Sequence, residues 1–342
     1  MAKITMKDIA DNLGLSINAV SLALNDKKGV SEETRLRVLE AAQTQGYLDT
    51  KYNYSRIFGS YHICVLIRDE YSRDAEFYGE ILHSIIKEAR KCGYDALVQY
   101  FDDENPAIPD YITARRVSGI IILGKISTPN VDALRAFNLH IVVIDHSPRS
   151  CKMNCILTDN ISGGFMAANY LIHSGCTEIG FVGDLSYALS VKERYYGFLE
   201  ALTQGNIITS EQPDIYVQKY SLMNRVESYN EKLTEVLNQM LSRMKDLPQA
   251  YFCYNDQTAF ALMHVLQEKG IRIPGEISII GFDNTTWAER VSPQLTTISV
   301  NRELMGQKAV RRIIRLIKEE DQEIEHTVLG VELVVRHSVK TS

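Results

Sequence analysis

In the first fifty residues apolar side chains fall at helical spacing. From His62 onward they gather instead into short β-rich runs separated by helical stretches. Thr5 stands before Met6-Lys7-Asp8-Ile9-Ala10, where its hydroxyl can cap free N–H groups while Asp8 reaches back, as in a capping box. Ile9 and Leu13 share one face of that first helix, and Gly14 ends it. Ser16 caps a second helix, onto whose Val20 the preceding Leu15 can staple, and Val20 and Leu24 form its apolar stripe. Ser31 opens a third helix towards Tyr47, with Glu32 and Glu33 at its positive end.

Beyond a polar and aromatic linker, Leu48–Tyr61, the pattern predicts strands over 62–67, 94–101, 119–124, 140–145, 178–184, 249–256 and 277–283. It predicts helices over 75–92, 161–174, 190–204 and 258–269. Ile120-Ile121-Ile122-Leu123 and Ile141-Val142-Val143-Ile144 are unbroken apolar runs, which suits strands buried on both faces. Alternating βα units imply parallel sheets covered by helices. About 280 residues of them exceed one comfortable core, so two lobes are expected.

Composition adds exclusions. With 45% hydrophobic and 23% charged residues in 342 positions, the chain is an ordinary globular one, neither disordered nor disulfide-framed. No run reaches the roughly 18 apolar residues of a membrane span. Charges sit in Met1–Asp8 where a signal peptide would be apolar, which predicts a cytoplasmic protein. Six cysteines read as reduced thiols, and the Cys151/Cys155 spacing lacks the second pair a zinc site needs, so neither metal nor cofactor is expected. Net charge is −6, yet the segment through Ser60 holds eight basic against seven acidic residues, a mild asymmetry.

Two short helices joined by Gly14-Leu15-Ser16 form a helix-turn-helix, whose second helix enters the major groove of double-stranded DNA. Its outer face would carry Ile17, Asn18, Ser21, Leu22 and Asn25. Asn18 can read a base edge through two hydrogen bonds, and Ile17 and Leu22 can pack on thymine methyls. Thr5, Ser16, Ser21 and Asn25 suit phosphate oxygens.

Thr5-Met6-Lys7-Asp8-Ile9-Ala10, Gly14-Leu15-Ser16, Ala19-Val20-Ser21, Leu24-Asn25 and Val30–Arg35 closely resemble the headpiece of the lactose-repressor (LacI/GalR) family. The resemblance runs on through Thr158-Asp159-Asn160 with Gly163-Gly164, Ser190 with Arg194, and Asn255-Asp256. It ends in Ile273-Pro274, Ile277–Asp283, and Pro293 with Leu295-Thr296-Thr297. It implies an all-α headpiece over 1–48, a hinge over 49–61 and an α/β, two-lobed periplasmic-binding-protein-like core with parallel sheets over 62–342. The N-lobe is expected over 62–160 and 291–322, and the C-lobe over 161–290 and 323–342. Two departures stand out. Leu22 replaces a frequent Arg, which implies a different operator. The segment after Tyr47 lacks the family's Pro-Asn, so Ser55-Arg56-Ile57-Phe58 aligns with its Ala-Arg-x-Leu only after a two-residue insertion. Arg56 would then meet DNA, and Phe58 or Ile57 would be the minor-groove wedge.

In open parallel sheets ligands bind beyond the carboxyl ends of strands. Asp69, Asp145-His146, Asn255-Asp256 and Asp283-Asn284 occupy such positions, and carboxylates and planar amides suit the paired hydroxyls of a sugar. By the matching motifs Arg194, Asn255 and Asp283 are expected to touch a small-molecule effector, with Phe77, Tyr78 and Trp287 as stacking walls. A helix-capping role remains open for Asn255 and Asp283, as does lobe packing for Trp287.

The expectation is a homodimeric repressor of a carbohydrate-utilisation operon, bound to a near-palindromic operator under control of a sugar. A purine-like corepressor is the alternative, and a solute-binding protein without DNA function is the rival class. No enzyme is expected: Gly-x-Ser-x-Gly and His-Glu-x-x-His are missing, and Gly124-Lys125-Ile126 lacks the Ser/Thr of a phosphate loop.

Overall fold

The computed structural model describes residues 4–24, 29–47, 61–102, 108–114, 116–148, 152–208, 213–223, 232–318 and 323–341. Three helices open the chain: α1 (Met6–Leu13), α2 (Ile17–Leu24) and α3 (Glu32–Thr44). The capping box forms, with Thr5 N donating to Asp8 Oδ2 at 2.7 Å and Asp8 N to Thr5 Oγ1 at 3.4 Å. Gly14 ends α1 at φ 66°, a conformation that costs glycine nothing. Ser16 accepts from Ala19 N at 3.0 Å, and Ser31 from Thr34 N at 3.2 Å. Ile9, Val20, Leu24, Val38 and Tyr47 close a small core, against which Leu15 packs half-buried.

The rest of the chain builds two α/β lobes. The first contains β1 (His62–Arg68), α4 (Glu80–Lys91), β2 (Asp95–Phe101), α5 (Asp110–Thr113), β3 (Gly119–Leu123), α6 (Thr128–Arg135), β4 (His140–Ile144) and β5 (Asn154–Thr158). The second follows with α7 (Asn160–His173), β6 (Ile179–Val182), α8 (Leu189–Gln204), α9 (Pro213–Tyr220), α10 (Leu233–Arg243), β7 (Ala250–Cys253), α11 (Asp256–Glu268), β8 (Ser278–Asp283) and β9 (Thr296–Ser299). The chain then returns to the first lobe through α12 (Arg302–Ile317) and β10 (His326–Leu329), and ends in the second with β11 (Glu332–Val334). The sheets run β10-β5-β4-β3-β1-β2 and β11-β9-β8-β7-β6. All pairings are parallel except β11 against β9. The Ile120–Leu123 and Ile141–Ile144 runs are buried on both faces.

The lobes exchange chain at other points than expected. The return at 291 is displaced, because Thr296–Ser299 pairs with β8 and keeps the second lobe until Ser299. The return at 323 is displaced too, because His326–Leu329 pairs with β5 and the crossing falls at Gly330. Both strands are four residues long, too short to announce a period of their own, and only their partners place them. Among the described residues, no helix is long and apolar enough to cross a membrane, and no three His, Cys, Asp or Glu side chains are placed to hold a metal ion.

Candidate functional site

Two surfaces carry the chemistry. On the headpiece, Ile17 and Asn18 stand exposed in the first turn of α2, while Val20, Ala23 and Leu24 are buried beneath. Thr5 and Ser16 are exposed as well, although both hydroxyls also cap a helix. Ser21 is half-buried. Leu22 is half-buried rather than fully presented: a Cβ on Gly29 would stand 3.1 Å from its Cδ1, so the side chain leans on the chain approaching α3. Asn25, Arg56 and Phe58 lie outside the described residues, as does the expected hinge (49–61) apart from Tyr61.

Between the lobes lies a cleft of about 500 Å³, counting space open to solvent. It sits at the carboxyl ends of the strands, where a strand's last residues release their side chains from the sheet. Phe77, Tyr78, Asp145, Arg194, Asn255 and Asp283 line it together. Asp145 follows β4 at φ 59°, and Asp283 ends β8 at φ 117° with Asn284 next at 54°. Non-glycine residues held at positive φ concentrate at functional sites.

Arg194 is almost wholly buried, and its guanidinium lies 3.7 Å from the centroid of the Phe282 ring. Nε donates to Asn160 Oδ1 at 3.0 Å, Nη1 donates to the Tyr254 carbonyl at 2.5 Å, and Nη2 stands 3.5 Å from Asp283 Oδ1. Oδ1 of Asp283 is buried without a hydrogen-bond partner. Burial pushes the Asp283 carboxyl well above the usual carboxylate range, Arg194 opposing that rise and Asp256 and Asp74 adding to it. Burial likewise raises Asp145 to about 6, against the pull of Arg194 and of Tyr78, whose hydroxyl donates to Asp145 Oδ2 at 2.8 Å. Neighbouring carboxylates in a site of low polarity favour the neutral form in this way.

Asn255 does two things, capping α11 through Thr258 N at 3.0 Å and lining the cleft. Asp283 does not cap a helix. The turn that follows it is held by Asp256, which accepts from Thr285 N at 2.8 Å and Thr297 Oγ1 at 2.5 Å. Phe77 and Tyr78 lie on a π-helical turn (Ala75–Gly79), and Tyr78 stacks on Tyr71 with ring centroids 4.4 Å apart.

Two expected effector contacts, a polar one and a wall, are elsewhere. Asp69 is exposed at the start of a 3₁₀ turn that leads the chain away from β1. Trp287 is 52% exposed, with the Arg290 guanidinium over its ring, and does not line the cleft. In its four-residue 3₁₀ turn Ala288 is the buried member, which swings Trp287 outward. Residues that pattern reading missed include Tyr71, Asp74, Lys125, Tyr187 and Tyr254. Lys125 and Tyr254 follow strand ends and were open to the same rule that found Asp145. The others sit on irregular turns with no periodic signal. Lys125 Nζ donates to the Tyr187 carbonyl at 3.3 Å and Thr286 N to Glu76 Oε2 at 2.8 Å, each bond joining one lobe to the other.

Known proteins match both parts of the chain. Residues 5–49 match the family of bacterial regulatory proteins called the lacI family, and residues 168–339 match a periplasmic binding protein-like domain. The chain is 30% identical over 344 residues to the HTH-type transcriptional repressor PurR of Histophilus somni strain 129Pt, covering 98% of this chain and 99% of that one. Among solved structures, the cellobiose complex of the transcriptional regulator CelR superposes with a TM-score of 0.70 at 22% identity, covering 98% of this chain and 99% of that chain. A lacI-family regulator from Enterococcus faecium with bound ribose gives 0.68 at 25% identity, covering 81% and 98%. The headpiece that α1 to α3 build and the two-lobed core behind it therefore have one reading: the chain belongs to the lacI family, and is a DNA-binding transcriptional regulator with a helix-turn-helix reader and a periplasmic-binding-protein-like core.

Proposed function

We propose that this regulator is a homodimeric repressor whose hold on a near-palindromic operator is set by a sugar bound between the lobes. The observation that carries the ligand class is Asp283 Oδ1, a buried acceptor with no donor, beside the amide of Asn255 and the carboxyl of Asp145. Buried acceptors left unpaired cost about 1–3 kcal/mol, which a donating ligand hydroxyl recovers. The stacked Tyr71 and Tyr78 rings supply the flat apolar wall that the C–H face of a sugar ring covers. Asp145, Asp283, Asn255 and Arg194 would hold the hydroxyls, and Phe77 and Tyr78 would hold the ring.

On DNA, Asn18 would read a base edge and Ile17 and Leu22 would pack on methyl groups, while Thr5, Ser16 and Ser21 would meet phosphates. Two headpieces would read two half-sites, and the affinity would come from the pair. The protein would work in the cytoplasm, where the operator is, and would catalyse no reaction. Ligand control requires different affinity for two states of the core, typically about 1–3 kcal/mol of coupling.

A second reading has its own support in the full-length similarity to repressors named PurR. A purine's exocyclic amine can donate to Asp283 as a hydroxyl does. A thermal-shift screen of neutral sugars against nucleobases separates the two, since a specific ligand stabilises the state it binds. Stabilisation by a sugar that also alters operator mobility supports the main reading, and a response confined to purines replaces it. A chain beginning at His62 that keeps ligand binding and loses DNA binding would separate reader from sensor.

A further inference from the structure

We propose that Arg302 is the positioning residue that ties the effector carboxylate Asp283 to the α4–α12 helix pair of the first lobe, so that occupancy of the cleft is felt there. The inference rests on the cleft being the effector site. Arg302 is the first residue of α12, just beyond the crossing that follows Ser299, and its side chain is nearly buried. One planar guanidinium reaches both lobes. Nε donates to Glu80 Oε2 at 2.6 Å, at the start of α4 in the first lobe. Nη1 donates to the carbonyl of Asp283, and Nη2 to that of Asn284 at 3.1 Å, both in the second lobe. Both of these residues have their backbone held at positive φ, so the clasp fixes the turn that aims the Asp283 side chain. A lysine offers a point charge and cannot span the same three acceptors in a plane.

On its other side the clasp meets a rigid body. A Cβ on Gly306 of α12 would stand 2.7 Å from both Cβ and Oγ of Ser84 on α4, so the helices touch along their backbones. Ser84 Oγ donates to the Glu303 carbonyl at 2.6 Å, and Arg311 Nε to Glu88 Oε1 at 2.8 Å. Packed interfaces of this kind move as units rather than deform. At its N-terminus α4 continues the π-helical turn that carries Phe77 and Tyr78 into the cleft. Any shift of the Asp283 turn on ligand binding therefore reaches α4 through Arg302 and Glu80.

The test measures coupling in the full-length protein. The operator probe is a duplex selected by the protein from random-sequence DNA. The ligand probe is whichever of ribose, cellobiose, guanine and adenine raises the melting temperature most. Ligand Kd is measured on free and on DNA-bound protein. In the unsubstituted chain the two values should differ by about fivefold or more. Arg302→Met and Glu80→Gln should bring their ratio to within about twofold of one, Glu80→Gln leaving the free-protein Kd nearly unchanged. A purely structural clasp would move both Kd values alike and leave the ratio, and that result overturns the proposal. If Arg302→Met does not fold, Glu80→Gln decides alone, because the Glu80 side chain is 45% exposed and outside the cleft. No ligand among the four, or a ligand that Asp283→Asn binds as the unsubstituted chain does, would defeat the cleft reading itself rather than the clasp.

Discussion

Arg194 Nη2 stands 3.5 Å from Asp283 Oδ1, close enough to attract the carboxylate and too far to satisfy it with a hydrogen bond. The guanidinium spends its better-placed donors on Asn160 and on the Tyr254 carbonyl. The pair thus leaves Oδ1 open to a donor, at the end of a strand and in the wall of a cleft.

That geometry separates two substitutions. Asp283→Asn keeps size and burial, so the fold and ligand-free operator binding should persist while effector response falls by at least about tenfold, equivalent to about 1.4 kcal/mol. Arg194→Ala leaves Asp283 buried without its partner, and should destabilise the core by about 3–5 kcal/mol as well. Operator mobility with and without ligand, together with thermal melting, reads both effects. A normal effector response in Asp283→Asn would remove that residue from the site.

Asp145 implies a pH dependence. Its carboxyl is raised from an ordinary 3.8 to about 6, so between those values the folded chain holds a proton that the unfolded chain has released. This site's contribution to stability is therefore greatest at low pH, falls as pH rises from about 4 through 6, and is level above. Ligand hydroxyls that donate to the ionised group show the opposite trend, with affinity rising from about pH 5 to 7. Titration calorimetry across that range should show the rise in the unsubstituted chain and a flat profile in Asp145→Asn. A flat profile in both would mean that Asp145 does not receive ligand hydroxyls.

On the headpiece, Asn18→Ala should reduce discrimination between operator and random DNA by about 1–3 kcal/mol. The salt dependence should stay as it was, since no phosphate contact is lost. Competition binding at one fixed salt concentration checks the first point, and a salt series the second. Loss of affinity for all sequences alike would assign Asn18 to the backbone instead.

The Thr5 cap has a local signature. Thr5→Ala removes the acceptor for Asp8 N and should cost the headpiece about 1 kcal/mol, or about fivefold faster amide exchange along α1. Exchange in the two lobes should not change. Equal exchange in α1 would show that the cap contributes nothing to the reader's stability.

What could be read beforehand was whatever local chemistry dictates. Thr5, Asp8, Gly14, Ser16 and Ser31 specify helix ends through bonds to residues three or four positions away, so the reader was legible without its neighbours. Unbroken apolar runs such as Ile120–Leu123 likewise imply buried parallel strands, and strand ends pointed to Asp145, Asn255 and Asp283.

Tertiary structure alone decided the rest. Thr296–Ser299 and His326–Leu329 take their lobe from the strand that pairs with them, and four residues carry no sign of which that is. Trp287 has the composition of a stacking wall, but burial of Ala288 turns it to solvent. Arg302 looks like any charged residue opening a helix until two carbonyls from the other lobe converge on it. Helix caps and strand runs are contacts along the chain, which the order of residues determines by itself. The cleft and its clasp are contacts between segments that lie from 18 to 222 positions apart, and only packing brings those together.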